Sequence, residues 1–183
     1  EQIVGWVIDV SDNESAEVLM RHVGRVVAGE ASNEAGVRAV GEVLEGLGVD
    51  TDGMVLRDGS GLSRDNRFAA DTLLDVLQTA SAPSHPELRA LIEGLPVAGF
   101  TGSLTFRFAE GADEGLGRVR AKTGTLTGVH ALAGLVTGAD GVPLVFVLAA
   151  DEVAPDKSLE ARSALDDAAA ALAACSCGVP AAS

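Results

Sequence analysis

The 183-residue sequence predicts a mixed α/β fold of the α+β kind, in which an antiparallel sheet packs against helices. Three observations predict it. Apolar residues recur at helical spacing through most of the first half of the chain. Three consecutive apolar runs between Arg118 and Ala149 are joined by glycine-bearing turns, as in hairpins. An alanine-rich segment then closes the pattern as a long helix. Aromatic residues are scarce, with five Phe, one Trp and no Tyr, so the core must be built from Val, Leu, Ala and Ile.

Taken in order, Ile3 to Val10 is apolar and β-branched but too short for its period to classify. From Glu14 the pattern is helical: Ala16, Leu19, Met20, Val23 and Val27 form one apolar face, and Gly29 ends it. Asn33 to Leu47 predicts a second helix, with Gly46 and Gly48 at its end. Met54 to Leu56 is a short strand candidate, and Asp58-Gly59-Ser60-Gly61-Leu62-Ser63 concentrates turn formers, so the chain bends there. Ala70 to Ala80 and Glu87 to Gly94 predict helices on either side of a loop. Gly99 to Gly117 is glycine-rich and irregular. Strands follow at Arg118–Thr123, Val129–Thr137 and Val142–Ala149, then a helix at Leu159–Ala174. Residues 1–174 are expected to form one domain portion and 175–183 a tail.

Composition excludes several functions. Hydrophobic residues make up 47% and charged residues 22%, which argues against a disordered chain. No apolar run approaches the ~20 residues of a membrane span. Lys+Arg 13 against Asp+Glu 27 gives a net charge of -14, which repels phosphate backbones and anionic membranes, so no nucleic-acid partner is expected. Cys175-Ser176-Cys177 is too small a set for a metal site. The two residues read either as thiols on a loose tail or as disulfide partners, across one residue or with another segment. A disulfide would imply an oxidising compartment. The opening Glu1-Gln2-Ile3-Val4, with no initiator Met or signal segment, reads as the middle of a longer protein.

Two short strings carry the chemistry. Ser11-Asp12-Asn13 stands at the entrance to a helix, where Ser11 and Glu14 also match a capping box. Lys122-Thr123-Gly124 ends a strand, and Lys122 is one of only two lysines, beside Lys157, against eleven arginines. In this order the strings are two of three signatures of penicillin-binding proteins and class A β-lactamases. A serine nucleophile attacking an amide needs a proton relay to the leaving nitrogen, a role for a hydroxyl such as Ser11 beside a lysine. Asn13 suits a group that holds the substrate backbone. Lys122, Thr123 and Thr125 suit a free carboxylate, and Gly124 lets a peptide lie against the strand edge. The Thr125 N–H is then the candidate oxyanion donor.

The order of blocks resembles the C-terminal half of the low-molecular-weight class C penicillin-binding proteins, or type-4 D-alanyl-D-alanine carboxypeptidases. The resemblance runs from about Val7 to Leu172. Besides the two strings it rests on Ala16-Glu17, the block from Asp58 to Arg64, Pro96-Val97-Ala98-Gly99-Phe100, Gly102-Ser103-Leu104, Ala121 through Leu126, and Gly128 with Leu132-Ala133-Gly134. It implies the penicillin-recognising transpeptidase fold, a five-stranded antiparallel sheet with helices on both sides, of which this would be the C-terminal portion. It further implies a serine D,D-peptidase of the cell wall, outside the cytoplasm, that acts on peptidoglycan stem peptides and is acylated by β-lactams. By that carry-over Ser11, Asn13 and Lys122 are catalytic, while Thr123, Gly124 and Thr125 bind the substrate terminus. Arg64 faces an acidic side chain of the stem peptide, and no cofactor or metal is implied. Where relatives carry a larger polar residue this chain has Thr127, which bears on side-chain preference.

The third signature, Ser-x-x-Lys, is absent: neither Lys122 nor Lys157 has a serine three residues before it. The resemblance implies that an upstream segment carries that nucleophile. Three other readings compete. A triad hydrolase would use Ser60, but the Gly-x-Ser-x-Gly string is missing and His22, His85 and His130 stand in unremarkable contexts. An inert wall-binding module would not require Asn13, Lys122, Thr123 and Gly124 together. A β-lactamase would lack the Asp58–Arg64 block.

Overall fold

The computed structural model describes residues 1–109 and 111–177. In chain order its helices are α1 (Gln2–Val10), α2 (Asn13–Val27), α3 (Asn33–Gly46), α4 (Ala70–Ser81), α5 (Arg89–Glu93) and α6 (Ser158–Ala174). Its strands are β1 (Val119–Leu126), β2 (Val129–Thr137) and β3 (Pro143–Ala150). The chain divides into two compact units: a sheet unit of Glu1–Val10 with Arg89–Ser183, and a helical unit of Ser11–Leu88.

In the sheet unit the strands run antiparallel in the order β1-β2-β3. The described residues thus supply three strands where the resemblance implies five for the complete fold. Period-two alternation puts Val119 and Ala121 of β1 on one face with Leu132 and Val136 of β2, all essentially inaccessible to water. This face is covered by Leu104, Phe108 and the alanine side of α6, so the small residues Ala169 and Ala173 bring the helix close to the sheet. Each large apolar side chain buried there contributes roughly 1.5–3 kcal/mol. Cys175 and Cys177 are joined by a disulfide. They are therefore not free thiols; residues 178–183 of the expected tail lie outside the described residues.

Ile3–Val10, unclassified by period, is the helix α1. Its apolar residues fall at three- and four-residue steps, but only Val7 is buried, while Ile3, Trp6 and Val10 are exposed. It packs on α5 beside glycines: a Cβ on Gly94, just past the end of α5, would sit 2.6 Å from Gly5 Cα and is excluded, whereas a Cβ on Gly5 would meet Gly94 only at 3.8 Å. The segment 99–117 is irregular, as expected, with 3-10 turns at Gly102–Leu104 and Asp113–Gly115.

In the helical unit α2 and α3 pack together through Met20, Ala35 and Ala39. The Met54–Leu56 strand candidate is corrected to a single bridge between Val55 and Arg67. Pairing cannot extend because the next amide, Arg57 N–H, donates to the Asn66 side chain at 2.7 Å instead of to a backbone carbonyl.

Candidate active site

Lys122, Thr123, Gly124 and Thr125 lie on β1 in the sheet unit; Ser11, Asn13 and Arg64 lie in the helical unit. On β1 the decisive feature is the outer edge. The Ala98 N–H donates to the Val119 carbonyl at 3.0 Å, and the Ala121 N–H donates to the Pro96 carbonyl at 2.9 Å. Beyond Ala121 no strand among the described residues pairs on that side. Successive backbone groups of a strand point to opposite edges, so the N–H and C=O of Thr123 and Thr125 leave the sheet on the same open edge. Among the described residues no strand pairs with these groups, and an edge of this kind can accept an extended peptide as an added strand.

The side chains follow the same alternation. Thr123 and Thr125 share one face, and Lys122 takes the other. The Lys122 ammonium donates to the Thr123 carbonyl at 2.8 Å and is half-buried. Loss of water around it pushes its pKa below the ordinary lysine value of 10.5, since burial disfavours the charged form. The Thr123 hydroxyl bonds Ser103 Oγ at 2.9 Å. Gly124 is exposed opposite Ala131, whose Cβ would lie 3.3 Å from a Cβ at 124, so a side chain there would crowd the strand.

The entrance of α2 corrects the capping expectation. The N-cap is Asp12, whose Oδ1 accepts the Ser15 N–H at 2.6 Å. That backbone donor holds the Asp12 carboxyl below its usual range. Ser11 stands one residue earlier with φ 59, in the left-handed region that non-glycine residues adopt rarely. Aspartate caps as well as serine does, so the pattern admitted both residues and the backbone turn chose the second. Asn13, the first residue of α2, is exposed.

Glu17 shows no role in the sequence alone, but it has one in the structure. Glu17 lies one helical turn after Asn13, on the same side of α2. Its Oε1 accepts the Gly59 and Ser60 N–H groups at 3.1 and 2.9 Å. A Cβ on Gly59 would lie 2.7 Å from the Ala16 carbonyl oxygen, so only glycine lets this turn rest on α2. Asp58 ties the rest of the turn together, accepting from the Gly61 and Ser63 amides and the Asn66 side chain. Arg64 leaves this pinned turn exposed to solvent. Ser60 has no histidine among its hydrogen bonds; His85 pairs with Glu87, and His130 with Ser158. Among the described residues no cluster of His, Cys, Asp or Glu is arranged to hold a metal.

Residues 1–172 match the D-Ala-D-Ala carboxypeptidase 3 (S13) family. The chain belongs to that family. It is 42% identical over 175 residues to the carboxypeptidase DacB of Mycolicibacterium smegmatis, covering 94% of this chain and 37% of that protein. It is 46% identical over 136 residues to the D-alanyl-D-alanine carboxypeptidase of Actinomadura sp. strain R39, covering 72% of this chain and 24% of that protein. The crystal structure of penicillin binding protein 4 from Haemophilus influenzae, complexed with a β-lactam, superposes with a TM-score of 0.81 at 31% identity. That match covers 91% of this chain and 40% of the other. The chain thus spans well under half the length of these relatives.

Proposed function

We propose that this chain forms part of a serine-type D-Ala-D-Ala carboxypeptidase that acts on peptidoglycan stem peptides and is acylated by penicillins. The observation that carries the reading is the open edge of β1, where a cation, two hydroxyls and an outward amide follow one another from Lys122 to Thr125. A peptide ending in D-Ala-D-Ala adds along this edge as a strand. Its terminal carboxylate meets the Thr123 and Thr125 hydroxyls in the positive field of Lys122. Asn13 holds the peptide backbone, and Arg64 faces an acidic side chain of the stem.

The nucleophilic serine comes from an upstream segment of the same protein. Its oxygen attacks the penultimate D-Ala carbonyl carbon, and the Thr125 N–H stabilises the oxyanion as it develops. Ser11 relays to the leaving nitrogen the proton that the nucleophilic hydroxyl gives up, as the C–N bond breaks, releasing D-Ala and leaving an ester on the serine. Water then hydrolyses the ester and restores the hydroxyl. The disulfide between Cys175 and Cys177 supports an oxidising location such as the periplasm or cell wall.

Two preparations test this reading, the full-length protein and the present chain alone, each incubated with fluorescent penicillin and with a D-Ala-D-Ala peptide. The full-length protein is expected to be labelled and to release D-Ala, and the isolated chain to do neither. Covalent labelling of the isolated chain would overturn the assignment of the nucleophile. Rapid turnover of penicillin without D-Ala release would favour a β-lactamase, and neither activity an inert module.

A further inference from the structure

The Thr123 hydroxyl does not stand alone. Its partner Ser103 sits on the 3-10 turn Gly102–Leu104, which is fixed from three sides. Leu104 is fully buried in the core beneath the sheet, and its carbonyl accepts the Gly99 N–H at 3.0 Å. Gly102 has φ +50 and lies so close to the Asp9 carbonyl that a Cβ would collide with it. Just beyond the turn, Arg107 is clamped to α6: its Nε and Nη2 donate to Asp166 at 2.8 and 2.6 Å, and Nη2 also donates to the Arg162 carbonyl at 3.1 Å. Yet Ser103 itself is exposed. The turn's packing needs Leu104 and Gly102 but makes no use of the serine hydroxyl.

Two hydroxyls in contact use one proton between them and present the other outward. A threonine hydroxyl without such a partner rotates among its staggered positions and must be ordered when a ligand binds. We infer that Ser103 is a positioning residue of the carboxylate subsite: Thr123 Oγ1 donates to Ser103 Oγ here, but either hydroxyl of the pair can donate, and when a peptide binds Ser103 donates to Thr123 Oγ1 and so directs the Thr123 proton toward the terminal carboxylate. This inference rests on the carboxylate-binding role proposed for Thr123.

The test uses the full-length protein and a peptide ending in D-Ala-D-Ala, alongside its C-terminal amide. Ser103→Ala is expected to raise KM for the acid about three- to tenfold, the worth of one neutral hydrogen bond, with kcat changed less than about twofold. Ser103→Thr should restore KM. On the amide, wild type and Ser103→Ala should coincide. In a Thr123→Val background Ser103→Ala should add nothing, and this double-mutant cycle decides if the amide turns over too slowly to measure. An unchanged KM in Ser103→Ala, an equal loss on acid and amide, or additivity with Thr123→Val would overturn the inference while leaving the carboxypeptidase reading intact. A wild-type protein that releases no D-Ala would overturn that reading, and this inference with it.

Discussion

The entrance of α2 and the second half of β1 each carry a signature string, but different contacts hold them. At Ser11-Asp12-Asn13 the cap is local: it spans three residues and follows a serine in the left-handed region. Around Lys122–Thr125 they come from afar. β2 sets the register, residues 96–98 close the first half of the outer edge, and a turn twenty residues away meets Thr123. A local cap keeps its geometry when distant packing loosens. A string held at long range does not, and the two can be broken separately.

The largest effect is expected from the remote clamp. Asp166 and Arg107 are each only 10% exposed, so Asp166→Ala leaves a cation nearly buried without its partner, at a cost of about 3–5 kcal/mol. Hydrogen exchange should accelerate in β1 and the 99–109 segment while the amides of α2 and α3 keep their protection. Uniform acceleration across both units would erase the contrast between local and remote restraint.

Lys122→Ala is expected next, costing about 2–4 kcal/mol of transition-state stabilisation, with little change in melting temperature. Lys122→Arg should fail as well, because a forked guanidinium does not replace a compact ammonium. Undiminished D-Ala release by either variant would remove Lys122 from the site.

At the α2 entrance, cap and chemistry now separate by residue. Asp12→Ala should cost roughly 1 kcal/mol of stability as a lost cap. Ser11→Ala should leave the melting temperature nearly unchanged and slow acylation about a hundredfold. A destabilised but fully active Ser11→Ala would return the capping role to serine.

The smallest effect is a pH dependence. Burial lowers the Lys122 pKa in the folded protein, so between that value and 10.5 the unfolded chain binds more protons than the folded one. The contribution of Lys122 to stability therefore rises with pH through that window. Activity moves the other way: the alkaline limb of kcat/KM, which needs the charged amine, should fall below 10.5. A pH–rate profile of wild type against Lys122→Ala checks both the sign and the assignment. A limb that persists in the variant belongs to another group.

Much of this was legible beforehand. Four helices and three strands follow from periodicity because one face of each is buried, and burial imprints period 3.6 or 2 on the residues. The two strings were legible because catalysis demands particular functional groups. Ile3–Val10 was not, because a short run of mostly apolar, β-branched residues reads equally well as a helix or a strand. The lone Val55–Arg67 bridge imitated a strand for want of any signal that pairing stops after one residue.

The sequence by itself determined the family, the acidic surface, the element types and the residues able to do chemistry, since these depend on composition, local period and side-chain identity. Only the tertiary structure decided that Asp12 rather than Ser11 caps α2, that Glu17 holds the Asp58–Arg64 turn, and that Ser103 meets Thr123. It also decided that, among the described residues, no strand pairs with the outer edge of β1 beyond Ala121. The physical reason is common to these last three: each is a contact or an absence of one between residues far apart in the chain. Such contacts are settled by how buried faces pack, and they leave no periodic mark on the residues that make them.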